Sequence, residues 1–148
     1  MKIYIGADHN GYHLKQALLE YLNRAGYEVI DEGDRRFDAS DDFPQFAGRV
    51  VSGLLASGDP EARGILICGS GQGMCIAANR FKGVRASLVW DREEARMSRS
   101  EDDANILCLP ARFVRKEEVP VLVETWLNTP FAAAARYIRR NKELDELV

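Results

Sequence analysis

The sequence contains few of the residues that mark secreted, metal-binding or membrane proteins. Its 148 residues include three cysteines and two histidines. An odd number of cysteines without paired short spacing argues against a disulfide framework and against a zinc knuckle, and it favours a reducing compartment. No apolar run approaches the ~18 residues of a membrane span, and the first residues do not resemble a signal peptide. We therefore expect a cytoplasmic protein that does not bind a membrane.

The charge balance is close to neutral and excludes a general attraction for nucleic acid. The formal net charge is −3, so any anionic ligand must be held by a local basic cluster. Hydrophobic residues make up 46% and charged residues 29% of the chain, which is ordinary for a globular protein. A chain of this length is expected to form one domain, residues 1–148, with a substantial core.

Short β-type runs alternate with helical patterns along the whole chain. This alternation predicts an α/β fold, a Rossmann-like three-layer α/β/α sandwich with a five-stranded parallel sheet. Ligands of such folds bind beyond the carboxyl ends of the strands. The predicted strands are 3–7, 27–31, 64–68, 84–89 and 105–109, and the predicted helices are 14–25, 44–57, 73–80, 92–100, 117–127 and 131–147.

A glycine-rich loop follows the third predicted strand. Cys68 ends the apolar run 64–68, and the loop then leads into a helix. Amide N–H groups at a helix N-terminus bind phosphate or a developing oxyanion and favour a thiolate. The spacing is neither a dinucleotide fingerprint nor a P-loop. A tight structural turn and a buried core cysteine remain the alternatives. The loop residues are Gly69, Ser70, Gly71, Gln72 and Gly73.

Other polar residues fall at strand ends or on the last helix. Asp8 and His9 follow the first strand and Arg112 follows the fifth, whereas Arg136 and Arg140 lie four residues apart on the last helix. Arginine is suited to bidentate phosphate capture. Helix capping by Asp8 and a solvated helix face for the arginines are the simpler alternatives.

The acidic clusters 41–42 and 101–103 could be helix caps or metal ligands. No histidine accompanies them at ligand spacing, so we expect no metal site.

Ordered motifs along nearly the whole chain resemble one known family. The type B ribose-5-phosphate isomerases, which include the galactose-6-phosphate isomerase subunits, carry similar motifs. The matching segments are Gly6-Ala7-Asp8-His9, Asp42-Phe43-Pro44, residues 64–74, Gly83-Val84-Arg85-Ala86, Asp103-Ala104-Asn105, Ala111-Arg112 and Thr129-Pro130-Phe131.

The resemblance implies an aldose–ketose isomerase of a sugar phosphate that needs no cofactor. Cys68 would be the base that moves a proton between C1 and C2 through a cis-enediolate. Ser70 and the amides of the glycine loop would stabilise that intermediate. Asp8 would bind sugar hydroxyls. His9, Arg112, Arg136 and Arg140 would bind the phosphate.

The resemblance also implies an assembly. The family builds its site across a homodimer interface. We therefore expect a homodimer with shared active sites, which could pair into a tetramer, and a last helix, 131–147, that packs on a partner subunit.

Three departures from the family pattern affect the inferred substrate. Glu101-Asp102 replaces a histidine and an asparagine, and that histidine is assigned to opening the furanose ring. Phe43 replaces a tyrosine. Matching both Arg136 and Arg140 requires one inserted residue, because the ungapped register would place Ala135 and Arg139 there instead.

Loss of the ring-opening histidine suggests a substrate such as a tetrose 4-phosphate, which cannot close a furanose. One alternative is a non-catalytic or regulatory sugar-phosphate binder. A more remote one is a cysteine hydrolase that uses Cys68 with His9.

Overall fold

The computed structural model describes residues 1–148. The chain forms one five-stranded sheet in the order β2-β1-β3-β5-β4, in which every neighbouring pair is parallel. This confirms the predicted α/β fold class. The elements are β1 (Lys2–Ala7), α1 (Tyr12–Arg24), β2 (Glu28–Asp31), α2 (Phe43–Ala56), β3 (Arg63–Cys68), α3 (Gln72–Ala78), β4 (Ala86–Leu88), α4 (Arg92–Ser100), β5 (Ile106–Pro110), α5 (Val119–Asn128) and α6 (Ala135–Asp145).

Each face of the sheet carries its own hydrophobic core. Side chains alternate along β3, so Ile65 and Ile67 pack with α1 and α5 around the fully buried Trp126. Leu66 and Cys68 face the opposite layer, which α2 and α3 form. The Cys68 side chain is therefore held beneath α3. No helix of the structure has both the length and the apolar character needed to cross a bilayer.

All eleven predicted elements are present, and apart from the last helix their ends lie within two residues of the predicted ones. The last helix is an exception, because α6 begins at Ala135 and not at residue 131. The preceding segment leaves the helical conformation: Ala133 has φ 53°, and the amide of Ala132 donates to the carbonyl of Ser100 at 2.9 Å. Contact with the end of α4 therefore outweighs the helix propensity of this alanine run.

The fourth strand is also shorter than predicted. It covers Ala86–Leu88, whereas the sequence pattern predicts residues 84–89. The amide of Arg85 donates to the Asn105 side chain at 2.9 Å and not to a neighbouring strand. A side-chain hydrogen bond of this kind competes with the sheet and ends the strand.

A buried ion pair ties α1 to the end of β2. The Lys15 ammonium group is fully buried and donates to both carboxylate oxygens of Asp31, at 2.7 and 2.8 Å. It also donates to the carbonyl of Asp34 at 2.7 Å. These three bonds satisfy the ammonium group and anchor the start of the loop that leads from β2 to α2.

We expect Lys15→Met to lower the free energy of unfolding by about 2–3 kcal/mol, because it leaves the Asp31 carboxylate without its buried partner. Urea denaturation would measure the loss. Lys2→Met is the matched control, since Lys2 and Glu28 form a surface pair at 3.7 Å that should contribute less than about 0.5 kcal/mol. Equal losses for the two variants would contradict a structural role for Lys15.

Candidate active site

Three neighbouring strands bring polar residues together at the carboxyl edge of the sheet. In the register of β1, β3 and β5, Ala7 lies beside Ile67 and Cys68 beside Pro110. Parallel hydrogen bonding continues one residue beyond each strand, because Asp8 donates to the Ile67 carbonyl at 3.2 Å and Ala111 to the Cys68 carbonyl at 2.9 Å.

The ladder ends with the amide of Arg112, which donates to the Gly69 carbonyl at 3.0 Å. The sheet itself therefore places Asp8, Cys68 and Arg112 side by side. The convergence of these strand ends follows from the parallel topology, as the sequence pattern predicts.

The thiol of Cys68 lies in a cradle of backbone N–H groups. Cys68 is 5% exposed, and the nearby amides of Met74, Gly71 and Ser70, which form this cradle, each act to lower the pKa of its thiol. Burial raises the pKa of the Cys68 thiol. The cradle amides lower that pKa by a smaller amount, and the nearby Asp8 carboxylate raises it further. The sequence pattern favoured the thiolate, but desolvation outweighs the helix N-terminus at this position.

The conformation of the glycine loop depends on Gly71. This residue precedes α3 with φ 74°, in the left-handed region. A Cβ here would overlap the Leu88 side chain and lie 3.1 Å from the carbonyl carbon of Leu109. Only glycine combines this φ with so close an approach.

The remaining loop residues pack beneath larger side chains or face outward. A Cβ on Gly69 would lie 3.3 Å from the Arg112 guanidinium, and a Cβ on Gly73 would lie 2.8 Å from the Phe43 ring. The Ser70 hydroxyl accepts from the amide of Gln72 at 3.4 Å. The loop therefore presents backbone N–H groups and one hydroxyl between an arginine and an aromatic ring.

Asp8 is buried at the start of this edge. Its Oδ1 accepts from the amides of Asn10 at 3.0 Å and Gly11 at 3.2 Å, directly before α1. Burial raises the pKa of Asp8, and those amides and His9 oppose the shift. Arg112 reaches the same turn, because its Nη2 donates to the side-chain oxygen of Asn10 at 3.0 Å.

His9 pairs with Asp41, which the sequence analysis did not include in the site. The backbone N–H of His9 donates to Asp41 Oδ1 at 3.0 Å, and His9 Nδ1 lies 2.7 Å from the same oxygen. This hydrogen bond is the main cause of the raised pKa of His9. No histidine lies at ligand spacing from Asp41 in the sequence, but the fold joins Asp41 to His9, 32 positions away in the chain. Sequence spacing carries no signal for such a contact.

Asp8, His9 and Asp41 each offer a ligand atom, and these atoms lie within 4.8 Å of one another. Divalent metals bind such carboxylate and imidazole groups. The hydrogen bonds described above already account for the positions of these side chains.

The other two cysteines lie in the core behind the cradle. Cys108 is fully buried in β5. The thiol of Cys75, in α3, donates to the Ala86 carbonyl at 3.4 Å, and the neighbouring Cys108 thiol is the main cause that lowers the pKa of Cys75 to about 7. Because the thiolate is the reactive form of cysteine, this lowered pKa favours the reaction of Cys75 with thiol-directed reagents.

Glu101 and Asp102 lie far from this edge in the same chain. Helix α4 starts at the carboxyl edge and ends at Ser100, so both residues lie at the amino edge. The carbonyl of Glu101 accepts from Asn141 at 3.3 Å, and the carbonyl of Asp102 accepts from Arg85 at 2.9 Å. Burial and the charge of Glu101 raise the pKa of Asp102.

The C-terminal arginines lie on α6 and are exposed to solvent. Arg136 stacks on Tyr137, with 4.5 Å between its guanidinium carbon and the ring centroid. Arg140 lies one turn further along. One chain therefore brings Asp8, His9, Cys68 and Arg112 together with the glycine loop. It leaves Glu101, Asp102, Arg136 and Arg140 outside that cluster.

Comparison with known proteins gives consistent matches. Residues 3–144 match the family model described as Ribose/Galactose Isomerase. A probable ribose-5-phosphate isomerase B of Mycoplasma genitalium is 39% identical over 146 residues, which cover 99% of this chain and 93% of the relative.

Solved structures agree with the sequence matches. Ribose-5-phosphate isomerase B of Clostridium thermocellum superposes with a TM-score of 0.93 at 41% identity, covering 99% of this chain and 97% of that one. The Mycoplasma genitalium enzyme with bound ribulose 5-phosphate gives a TM-score of 0.92 at 39% identity, covering 99% and 95%.

We expect Gly71→Ala to lower the free energy of unfolding by about 2–4 kcal/mol, because left-handed strain and overpacking add at this position. Gly58→Ala is the control. Gly58 also has positive φ, 63°, but a Cβ there meets nothing within 4 Å, so its cost should be about 1–2 kcal/mol. Equal losses in urea denaturation would show that crowding at the loop is unimportant.

Proposed function

The chain belongs to the ribose/galactose isomerase family, and from this membership we propose that it interconverts a short aldose phosphate and its ketose through a cis-enediolate. It is an enzyme, a sugar-phosphate isomerase. Ribose 5-phosphate or a close relative such as a tetrose 4-phosphate is the proposed substrate. The observation that supports this most directly is the Cys68 thiol, which lies in an amide cradle between Asp8 and Arg112.

The proposed reaction needs one base and one oxyanion site. The Cys68 thiolate takes the proton from C2 of the open-chain aldose and returns it to C1. The hydroxyl proton of O2 meanwhile moves to O1. Ser70 and the loop amides donate to the enediolate oxygen, which is where negative charge develops. The raised pKa of Cys68 makes its thiolate scarce at neutral pH but strongly basic once formed.

Substrate orientation follows from the charges on either side of the cradle. Asp8 binds the sugar hydroxyls. His9 and Arg112 bind the phosphate, because imidazolium and guanidinium groups form charge-assisted hydrogen bonds with phosphate oxygens. Gly69, Gly71, Gln72 and Gly73 form the wall that excludes water from the reacting carbons.

A second subunit completes the proposed site. Glu101, Asp102, Arg136 and Arg140 lie outside the cluster of their own chain, and both arginines are exposed on α6. In a homodimer with shared active sites, α6 of one protomer would bring its arginines to the phosphate of the other. Glu101 would then take the position of a ring-opening acid.

The size of the sugar phosphate that can be used depends on whether Glu101 acts as the ring-opening acid. Glu101 can protonate a ring oxygen only if it is itself protonated in the assembled site. A tetrose 4-phosphate needs no such step, because its phosphorylated O4 cannot close a furanose. We therefore propose that a tetrose 4-phosphate is used at least as well as ribose 5-phosphate. A cytoplasmic location fits the three free cysteines.

A sugar-phosphate binder without catalytic activity is the second candidate function. The raised pKa of Cys68 favours it, because the thiol is then mostly protonated at neutral pH. Binding of the sugar phosphate without hydrogen exchange at C2 would distinguish this candidate from the isomerase.

We expect Cys68→Ala to lower turnover about 10²-fold or more, because the general base is removed. Proton NMR in D2O would follow deuterium entering C2 of ribose 5-phosphate, allose 6-phosphate and erythrose 4-phosphate. Wild-type turnover should rise with pH through the alkaline range, because the raised pKa of Cys68 delays formation of the thiolate.

Cys75→Ala is the control for this experiment. It removes a thiol of lower pKa that lies outside the cradle and should leave the exchange nearly unchanged. Full activity in Cys68→Ala would remove Cys68 from the role of base. Ribose 5-phosphate preferred by a wide margin would contradict the tetrose proposal.

A mixing experiment tests the shared site. Cys68→Ala and the double variant Arg136→Ala/Arg140→Ala should each be nearly inactive. In a heterodimer of the two variants, one active site contains both sets of substitutions and the other contains none. Random exchange makes about half of the dimers heterodimers, so it should restore about one quarter of wild-type activity. No recovery after confirmed exchange would show that both sets of residues act within one chain.

A further inference from the structure

The loop between β2 and α2 supplies a buried carboxylate to the active-site edge. The Asp41 side chain is 5% exposed and the His9 side chain 30%. One oxygen, Oδ1, accepts from both the backbone N–H and Nδ1 of His9. Two bonds to one oxygen fix the imidazole plane relative to its own backbone. Only Nε2 remains to contact a ligand.

Because of the second carboxylate oxygen of Asp41, the stability of the Asp41–His9 pair depends strongly on the charge of the imidazole. Oδ2 is buried and has no hydrogen-bond partner. Burying a carboxylate that accepts hydrogen bonds at only one of its two oxygens is energetically unfavourable unless a cation lies close by. His9 becomes such a cation when it is protonated, with Nδ1 2.7 Å from Asp41 Oδ1, so the imidazolium and the carboxylate stabilise one another.

The two carboxylates near His9 favour its protonated form. The hydrogen bond to Asp41 and the charges of Asp8 and Asp41 raise the pKa of His9, and they outweigh desolvation and the Arg112 charge, which lower it. Phe37, from the same loop as Asp41, meets the His9 ring edge-on with 6.4 Å between centroids. The loop therefore holds the imidazole by a hydrogen bond on one side and an aromatic contact on another.

We propose that Asp41 is a positioning residue of the sugar-phosphate site, which orients His9 and holds it as an imidazolium whose Nε2–H donates to the substrate phosphate. This inference rests on the proposed function, because it assigns His9 a phosphate ligand. Asp41 itself does not touch the substrate. Its effect is on affinity, since the imidazolium binds substrate and enediolate through the same unreacting phosphate.

The test compares Asp41→Asn with the wild-type chain in two measurements. The first is the NMR titration of His9, which is simple to assign because His13 is the only other histidine. The asparagine keeps an acceptor oxygen but loses the charge, so the pKa of His9 should fall toward its ordinary value of about 6.5.

The second measurement is calorimetric binding of ribose 5-phosphate between pH 6 and 9. Wild-type affinity should fall as pH rises through the pKa of His9, and Asp41→Asn should show that fall at lower pH. Between the two pKa values the deficit of the variant should grow about tenfold per pH unit, and above both it should level off at about tenfold for each unit by which the pKa of His9 has dropped. At pH 6 the two affinities should converge. KM should change with little effect on kcat.

Two further variants serve as controls. Asp38→Asn removes a charge from the same loop but still accepts the hydrogen bond from the Ser40 amide. It should therefore change neither the NMR titration of His9 nor the pH dependence of binding. His9→Gln removes the titrating ring, and adding Asp41→Asn to it should then have no further effect on the pH dependence of binding.

The outcomes separate the two proposals. An unchanged His9 titration in Asp41→Asn overturns the role of Asp41, whether or not the sugar phosphate binds. A shifted titration with unchanged binding curves overturns the contact between His9 and the phosphate. A wild-type chain that binds neither ribose 5-phosphate nor erythrose 4-phosphate overturns the proposed function.

Discussion

The parallel hydrogen-bond register of β1, β3 and β5 is the constraint on which the site depends. It places the carboxyl ends of three strands at one edge, and each strand delivers a different group there: Asp8, Cys68 and Arg112. Backbone bonds continue past the strands and link Asp8 to Ile67, and Arg112 to Gly69. These three side chains are therefore positioned by the sheet, and a shift of one residue would turn Cys68 into the opposite core.

Cys68 is subject to two opposing effects. Amide N–H groups at the start of α3 stabilise a negative charge on its sulfur, and burial under the same helix destabilises that charge. Burial has the larger effect in the chain alone. Under the proposed mechanism this arrangement is favourable, because the same dry cradle would strengthen hydrogen bonds to the enediolate. Gly71 sets the conformation of the loop at this point, since it adopts a left-handed φ of 74° directly before α3.

Recognition of an anion by this chain is local. The net charge is −3, yet the active-site edge carries Arg112 and a histidine whose pKa is raised. The loop after β2 contributes indirectly: Lys15 anchors its start through Asp31 and the Asp34 carbonyl. Its far end supplies Asp41 to His9. One loop thus connects a stabilising ion pair in the core to His9, the residue proposed to contact the phosphate.

The sequence alone determined the alternation of strands and helices, the parallel sheet and the cluster of Asp8, Cys68 and Arg112 at its carboxyl edge. These follow from local periodicity and from the topology of parallel sheets. Only the tertiary structure decided three other features. Packing of residues 131–134 against α4 moved the start of α6 to Ala135, burial reversed the expected shift of the Cys68 pKa, and the β2–α2 loop brought Asp41 to His9. Each depends on contacts between residues distant in the chain, and such contacts leave no periodic pattern in the sequence.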